Sequence, residues 1–269
     1  MNRIGTLLLF VLSFSVLSLQ AQTEWGPGKF MQQAVDNVQK KAELATSFGD
    51  YGYSGGYCFL GAYILKGKSV KWRTNLPVGK QLLFIGGGDD DATDVDIKIW
   101  DDDDNLVSED SDTDNSPVLK FKTSSDQYYT IELRLYSTTA TGSFCCISFL
   151  EDDAPGVPMA NMGHAMTNII DYGTKVDEKF DVRFHDMDNQ WCLYGVNQAS
   201  GASNTCTNMS MGSENHIYLA AGDNNLEDAD LYLMDAEAEP VAKDVEDDAV
   251  PGFKYTTSST ERYQLKIKT

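Results

Sequence analysis

The chain carries the same module twice. Residue 58 lies on residue 192, and that offset holds without a gap to residues 135 and 269. It brings Cys58 onto Cys192, Gly61 onto Gly195, Gly88-Asp89 onto Gly222-Asp223, Asp94 and Asp96 onto Asp228 and Asp230, and Asp101 onto Asp235. Further on it matches Asp110 with Asp244, Pro117 with Pro251, Thr123-Ser124-Ser125 with Thr257-Ser258-Ser259, and Tyr129 with Tyr263. Roughly one column in five is identical, yet apolar positions meet apolar ones and turns meet turns, as in a duplicated fold. This constrains the chain more than any local motif, because an architecture that suits one copy must also suit the other.

In the first copy, residues 57–65, 81–85, 95–100, 118–123, 128–135 and 143–149 are rich in Val, Ile, Leu, Phe and Tyr, and Gly, Asp, Asn, Ser and Pro clusters separate them. Such spacing predicts short antiparallel strands. Alternation is strict from Asp94 to Trp100, with Val95, Ile97 and Ile99 directed inward, and Ala229, Leu231 and Leu233 repeat it. A helix precedes each copy. Phe30, Met31, Ala34, Val35, Val38 and Ala42 recur at three- and four-residue steps, as do Met159, Met162, Ala165, Met166, Ile169 and Ile170. The expected fold is all-β: two tandem antiparallel jelly-roll-type sandwiches, each preceded by a short amphipathic helix.

The expected organisation is a signal peptide over 1–21, a first unit over 22–150, a charged Pro/Gly linker over 151–158, and a second unit over 159–269. Asn2-Arg3, the apolar run from Ile4 and the Leu19-Gln20-Ala21 site carry the export reading, which places the protein in the periplasm, on the cell surface or outside a bacterium, with no membrane span after cleavage. The second copy stops at the equivalent of Leu135, so it lacks the strand expected at 143–149. That leaves a sheet edge open to a donated strand or to self-association.

A formal net charge of −20 excludes nucleic acid and anionic lipid as partners, since both would be repelled. Five cysteines in an exported chain predict disulfides, Cys58 with Cys145 or Cys146 and Cys192 with Cys206. Neighbours on a strand point to opposite faces, so only one of Cys145 and Cys146 can meet an interior partner.

Asp89, Asp94 and Asp96, with Asp223, Asp228 and Asp230 in the second copy, are the candidate metal ligands. Residues two apart on a strand share a face, and calcium suits several carboxylates. The alternative is that these acids form turns and keep the surface soluble. Gly52-Tyr53-Ser54-Gly55-Gly56 matches G-x-S-x-G, but the expected helix-then-strand context is the reverse of a nucleophile elbow, and the second copy has no serine there. His164, His185 and His216 belong to no catalytic motif, so no enzyme is predicted. Trp100 and Tyr232 project from the outward face of the acidic strand, where they could stack on a glycan or cover a neighbouring domain.

Asp228-Ala229-Asp230-Leu231-Tyr232-Leu233-Met234-Asp235, Phe253-Lys254-Tyr255 and Tyr263-Gln264-Leu265-Lys266-Ile267 resemble the bacterial pre-peptidase C-terminal domain, and the first copy resembles it through Asp94 to Asp101 and Tyr129-Thr130-Ile131. The resemblance implies a jelly-roll sandwich accompanying secreted hydrolases, with calcium or extracellular polymer as ligand. The family's usual glycine in the hairpin after the acidic strand is replaced by Asn105 and Glu239. The expected function is a secreted, non-catalytic tandem sandwich binding a glycan or protein. A serine hydrolase using Ser54 and a structural component that accepts a strand are the alternatives.

Overall fold

The computed structural model describes residues 28–154, 159–180, 182 and 190–269. The expected signal peptide, residues 155–158 of the expected linker, and His185 lie outside them.

Helix α1 (Lys29–Phe48) is followed by nine strands: β1 (Tyr51–Tyr53), β2 (Gly56–Leu65), β3 (Ser69–Asn75), β4 (Gln81–Gly88), β5 (Ala92–Trp100), β6 (Leu106–Asp110), β7 (Val118–Lys122), β8 (Tyr128–Thr138) and β9 (Gly142–Asp152). Helix α2 (Met159–Phe180) then leads to β10 (Trp191–Asn197), β11 (Ser203–Met209), β12 (Asn215–Leu219), β13 (Asp230–Met234), β14 (Pro240–Asp244), β15 (Gly252–Thr256) and β16 (Tyr263–Lys268). Among the described residues the chain is all-β apart from two helices, and every described strand pair is antiparallel.

In the first repeat, a sheet ordered β2-β9-β4-β7 faces one ordered β3-β8-β5-β6, the two-sheet arrangement of a jelly roll. Val95, Ile97 and Ile99 from one sheet meet Leu60, Phe84 and Ile147 from the other in a closed core. Helix α1 covers the opposite face of the first sheet, burying Met31, Ala34, Val35, Val38 and Ala42 completely. The helix sits close because the sheet beneath it carries glycine: a Cβ on Gly87 would come within 3.0 Å of Val38 Cγ2.

The second repeat reuses this plan, with β11-β16-β13-β14 as one sheet and β12-β15 as part of the other. The two repeats are not separate bodies. Strand β10 pairs with β2, the position it duplicates, and so joins the first repeat's sheet. The shared glycine column follows from this. A Cβ on Gly61 would meet Leu193 Cβ at 3.1 Å, and one on Gly195 would meet Phe59 Cβ and Met166 Cε at 2.7 Å. At that seam Tyr57, Trp72 and Tyr194 form a ring cluster with centroids 5.5–6.4 Å apart.

Candidate functional site

The duplication exposes a difference. In the first repeat β9 lies between β2 and β4 and pairs with both. Its neighbours' equivalents are β10 and β12, and among the described residues no strand lies between them. A groove of about 850 Å³ runs there instead. β10 and β12 wall it; Met162, Met166 and Ile169 of α2 close one side, and Leu231, Leu265 and Ile267 floor the other.

Burial follows the missing strand. Leu83 and Ile85 of β4 are buried, whereas their equivalents Ile217 and Leu219 are half-buried. Ile131 and Leu133 are fully buried, whereas Leu265 and Ile267 are half-buried. The same holds for Leu60 against Tyr194 and Ala62 against Val196. Apolar residues patterned for a closed core thus face a groove, which is where a ligand gains most by covering them.

The repeated aspartates turn out to have backbone work. Asp89 is almost fully buried; its Oδ2 accepts from Phe144 N at 2.8 Å and its Oδ1 from Asp91 N at 3.1 Å. Burial pushes its carboxyl up to about 6 while these amides pull the other way. Asp101 Oδ1 accepts from Asn105 N, and Asp235 Oδ1 from Glu239 N, closing the same hairpin in both copies. The Asn105 side-chain amide, and then its backbone N–H, lower the pKa of Asp101. Asp110 and Asp244 cap the first amides of β7 and β15, at 2.8 and 2.9 Å.

Asp94 and Asp96 share the outer face of β5, as their spacing predicts. Burial raises both, helped by Asp114 at Asp94 and by Asp94 at Asp96. Asp89 is tied instead to the start of β9. In the second copy Asp223 closes an Asx turn onto Asn225, Asp228 is exposed, and Asp230 binds Lys268 Nζ at 3.0 Å. That lysine already neutralises the carboxylate. No group of three His, Cys, Asp or Glu among the described residues is arranged to hold a metal.

Trp100 and Tyr232 are half-buried on the outer faces, whereas Tyr57, Trp72 and Tyr194 pack at the seam between the repeats. Trp100 Nε1 donates to Glu132, and the Tyr232 hydroxyl donates to Asp230. Lys71 and Lys266 lie over their rings, 5.8 and 5.7 Å from the centroids.

The structure shows none of the expected disulfides. Cys145 points into the sandwich core, while Cys58 and Cys146 point toward the helix layer. Cys192 packs against that helix layer and Cys206 lies in the second sandwich's core, on the other side of the sheet. Ser54 sits between β1 and β2, strand to strand, so the elbow context is absent here as well. Its hydroxyl is buried without a hydrogen-bond partner; His164 contacts Asn224, and His216 contacts the Gly212 carbonyl.

Sequence reasoning expected an open sheet edge in the second copy but not the groove. The signal for the groove was available in Ile217, Leu219, Leu265 and Ile267, apolar residues whose equivalents Leu83, Ile85, Ile131 and Leu133 are buried in the first repeat.

No family model and no curated protein matches the chain. Solved structures with some likeness include the periplasmic inhibitor PliG of g-type lysozyme from Aeromonas hydrophila, with a TM-score of 0.28 and 8% identity over 37% of this chain and 87% of that one. The carbohydrate-binding module CBM36, solved with calcium and xylotriose, gives 0.23 and 15% over 34% and 76%. The CUB1-EGF-CUB2 region of human MASP-1/3 gives 0.22 and 11% over 82% and 99%. TM-scores this low place the chain in none of these groups, and no ligand is carried over from them. The pre-peptidase C-terminal resemblance rests on the acidic strand and the sandwich periodicity alone. Among the described residues no helix is long and apolar enough to cross a membrane.

Proposed function

We propose that the chain is an exported, non-catalytic binding protein that holds a segment of another polypeptide in the groove of its second repeat. The observation that carries this is the apolar groove of about 850 Å³ at the place where the first repeat inserts β9. Export rests on the N-terminal apolar run and its small-residue cleavage pattern. A polypeptide suits the groove better than a glycan, because the floor and the helix side are aliphatic and Met-rich, and methionine adapts to varied apolar partners.

The test is selection of random peptides on the mature chain, run beside a glycan array. Expected are peptide families that compete with one another and lose binding to Ile217→Arg, which puts a charge in the groove wall. Glycan binding without peptide binding, or peptides indifferent to Ile217→Arg, rejects the proposal.

A further inference from the structure

Resting on that reading, we infer that the groove binds its partner by β-strand insertion: an extended segment of a second polypeptide enters between β10 and β12, antiparallel to both, and completes the second sandwich as β9 completes the first.

The first repeat supplies the template. There Cys146 lies between Gly61 and Gly87, Ile147 between Leu60 and Gly86, and Ser148 between Phe59 and Ile85. The offset of the repeat turns these pairs into Gly195 with Ala221, Tyr194 with Ala220, and Leu193 with Leu219. The outer edge of the sheet supports this transfer. Gly86 N donates to Pro117 O, and Ala220 N donates to Pro251 O, both at 2.9 Å, so β12 stands to β15 as β4 stands to β7. β10 already has one edge filled by β2, and its other edge faces the groove.

The register fixes the chemistry of the inserted strand. Side chains at the Cys145, Ile147 and Phe149 positions would fall toward Leu231, Leu265 and Ile267; those at the Cys146 and Leu150 positions would fall toward Met162 and Met166. A strand covered on both faces must be apolar at successive positions rather than at alternate ones. Opposite Tyr218 an aromatic residue fits, since Phe149 meets Phe84, the Tyr218 equivalent, edge-on at 5.4 Å. Small residues suit the positions that lie against Ala221 and Gly222, as Cys146 and Cys145 lie against Gly87 and Gly88. Asp177, Glu214 and Asp223 also line the groove, so basic flanks favour binding.

The test uses the mature chain and a synthetic peptide of residues 142–150 carrying Cys145→Ala and Cys146→Ala, with lysines added at both ends. Fluorescence anisotropy measures binding, and hydrogen exchange locates it. Expected are saturable binding, new amide protection at residues 191–198 and 215–222, and a loss of at least about ten-fold when the peptide carries Ile147→Lys. Protection elsewhere, or equal binding of the Ile147→Lys peptide, overturns the inference. So does a chain whose β10 and β12 amides are already protected and ignore the peptide, because its own residues then fill the groove. A dimer that the peptide does not dissociate overturns it in favour of a second copy. If this peptide fails while random peptides of another pattern still bind and still lose binding to Ile217→Arg, the groove reading stands and the strand template alone is lost.

Discussion

Leu60 and Tyr194 face each other across the β2–β10 ladder, and they occupy the same column of the repeat. On either side the partners exchange, Phe59 with Gly195 and Gly61 with Leu193, so an approximate two-fold axis passes between Leu60 and Tyr194. The relation is that of a symmetric two-chain interface enclosed in one polypeptide. One sheet crosses the boundary between the repeats, and backbone hydrogen bonds rather than side chains alone hold them together.

This seam predicts joint unfolding. Tyr194→Ala removes a ring that contacts Tyr57 and Trp72 and is expected to cost about 3 kcal/mol. Calorimetry should show one transition moved to lower temperature. Two separated transitions in the unmodified chain would show that the repeats melt independently and that the seam couples nothing.

The Asp244 carboxylate ties the loop after β14 to the start of β15 through Gly252 N. Asp244→Ala should therefore destabilise the protein by about 1 kcal/mol, the ordinary worth of such a hydrogen bond. Asp110→Ala should behave alike, since it caps Val118 N in the same way. Chemical denaturation with and without calcium checks this. A loss that appears only when calcium is present would assign these carboxylates to a metal instead.

Ala238 has φ 65°, and its equivalent Asp104 has φ 58°. The left-handed region costs a residue with a Cβ roughly 1–2 kcal/mol, and glycine avoids the cost. Ala238→Gly should accordingly raise stability by up to about 1 kcal/mol, offset in part by the added freedom of the unfolded chain. The melting temperature reads this directly, and a lower value would contradict the assigned turn.

Asp89 supplies a pH dependence. Its carboxyl titrates at about 6 in the folded protein against 3.8 ordinarily, and Asp94 and Asp96 are raised too. The folded state therefore binds these protons more tightly than the unfolded state does. Stability rises as pH falls through about 6 and levels off near the ordinary carboxylate value. Melting at about pH 5 should exceed that at about pH 7, and Asp89→Asn should flatten part of the rise. A melting temperature that falls over this interval would contradict burial as the dominant cause.

Much of the fold was legible in the residues. Val95, Ile97 and Ile99 alternate with polar neighbours and are fully buried, because a strand of period two under one covering sheet leaves them no other face. The helix stripes Met31–Ala34–Val35–Val38 and Met162–Met166–Ile170 were equally plain, since an amphipathic helix must bury its apolar side. Strand β3 was missed because Lys71 and Arg73 break its apolar run and only Val70 and Trp72 turn inward. The expected cysteine pairs are not formed for a related reason: spacing along the chain does not give the strand register, which sets Gly61 rather than Cys58 opposite Cys146, nor the layer, which separates Cys192 from Cys206.

By itself the sequence determined that one sandwich pattern is written twice, because periodicity and repeat are local properties of the chain. Tertiary structure alone decided that the copies meet strand to strand at β2 and β10, and that the missing strand leaves a groove between β10 and β12. Strand pairing joins residues far apart in the chain, and its register depends on how both layers pack.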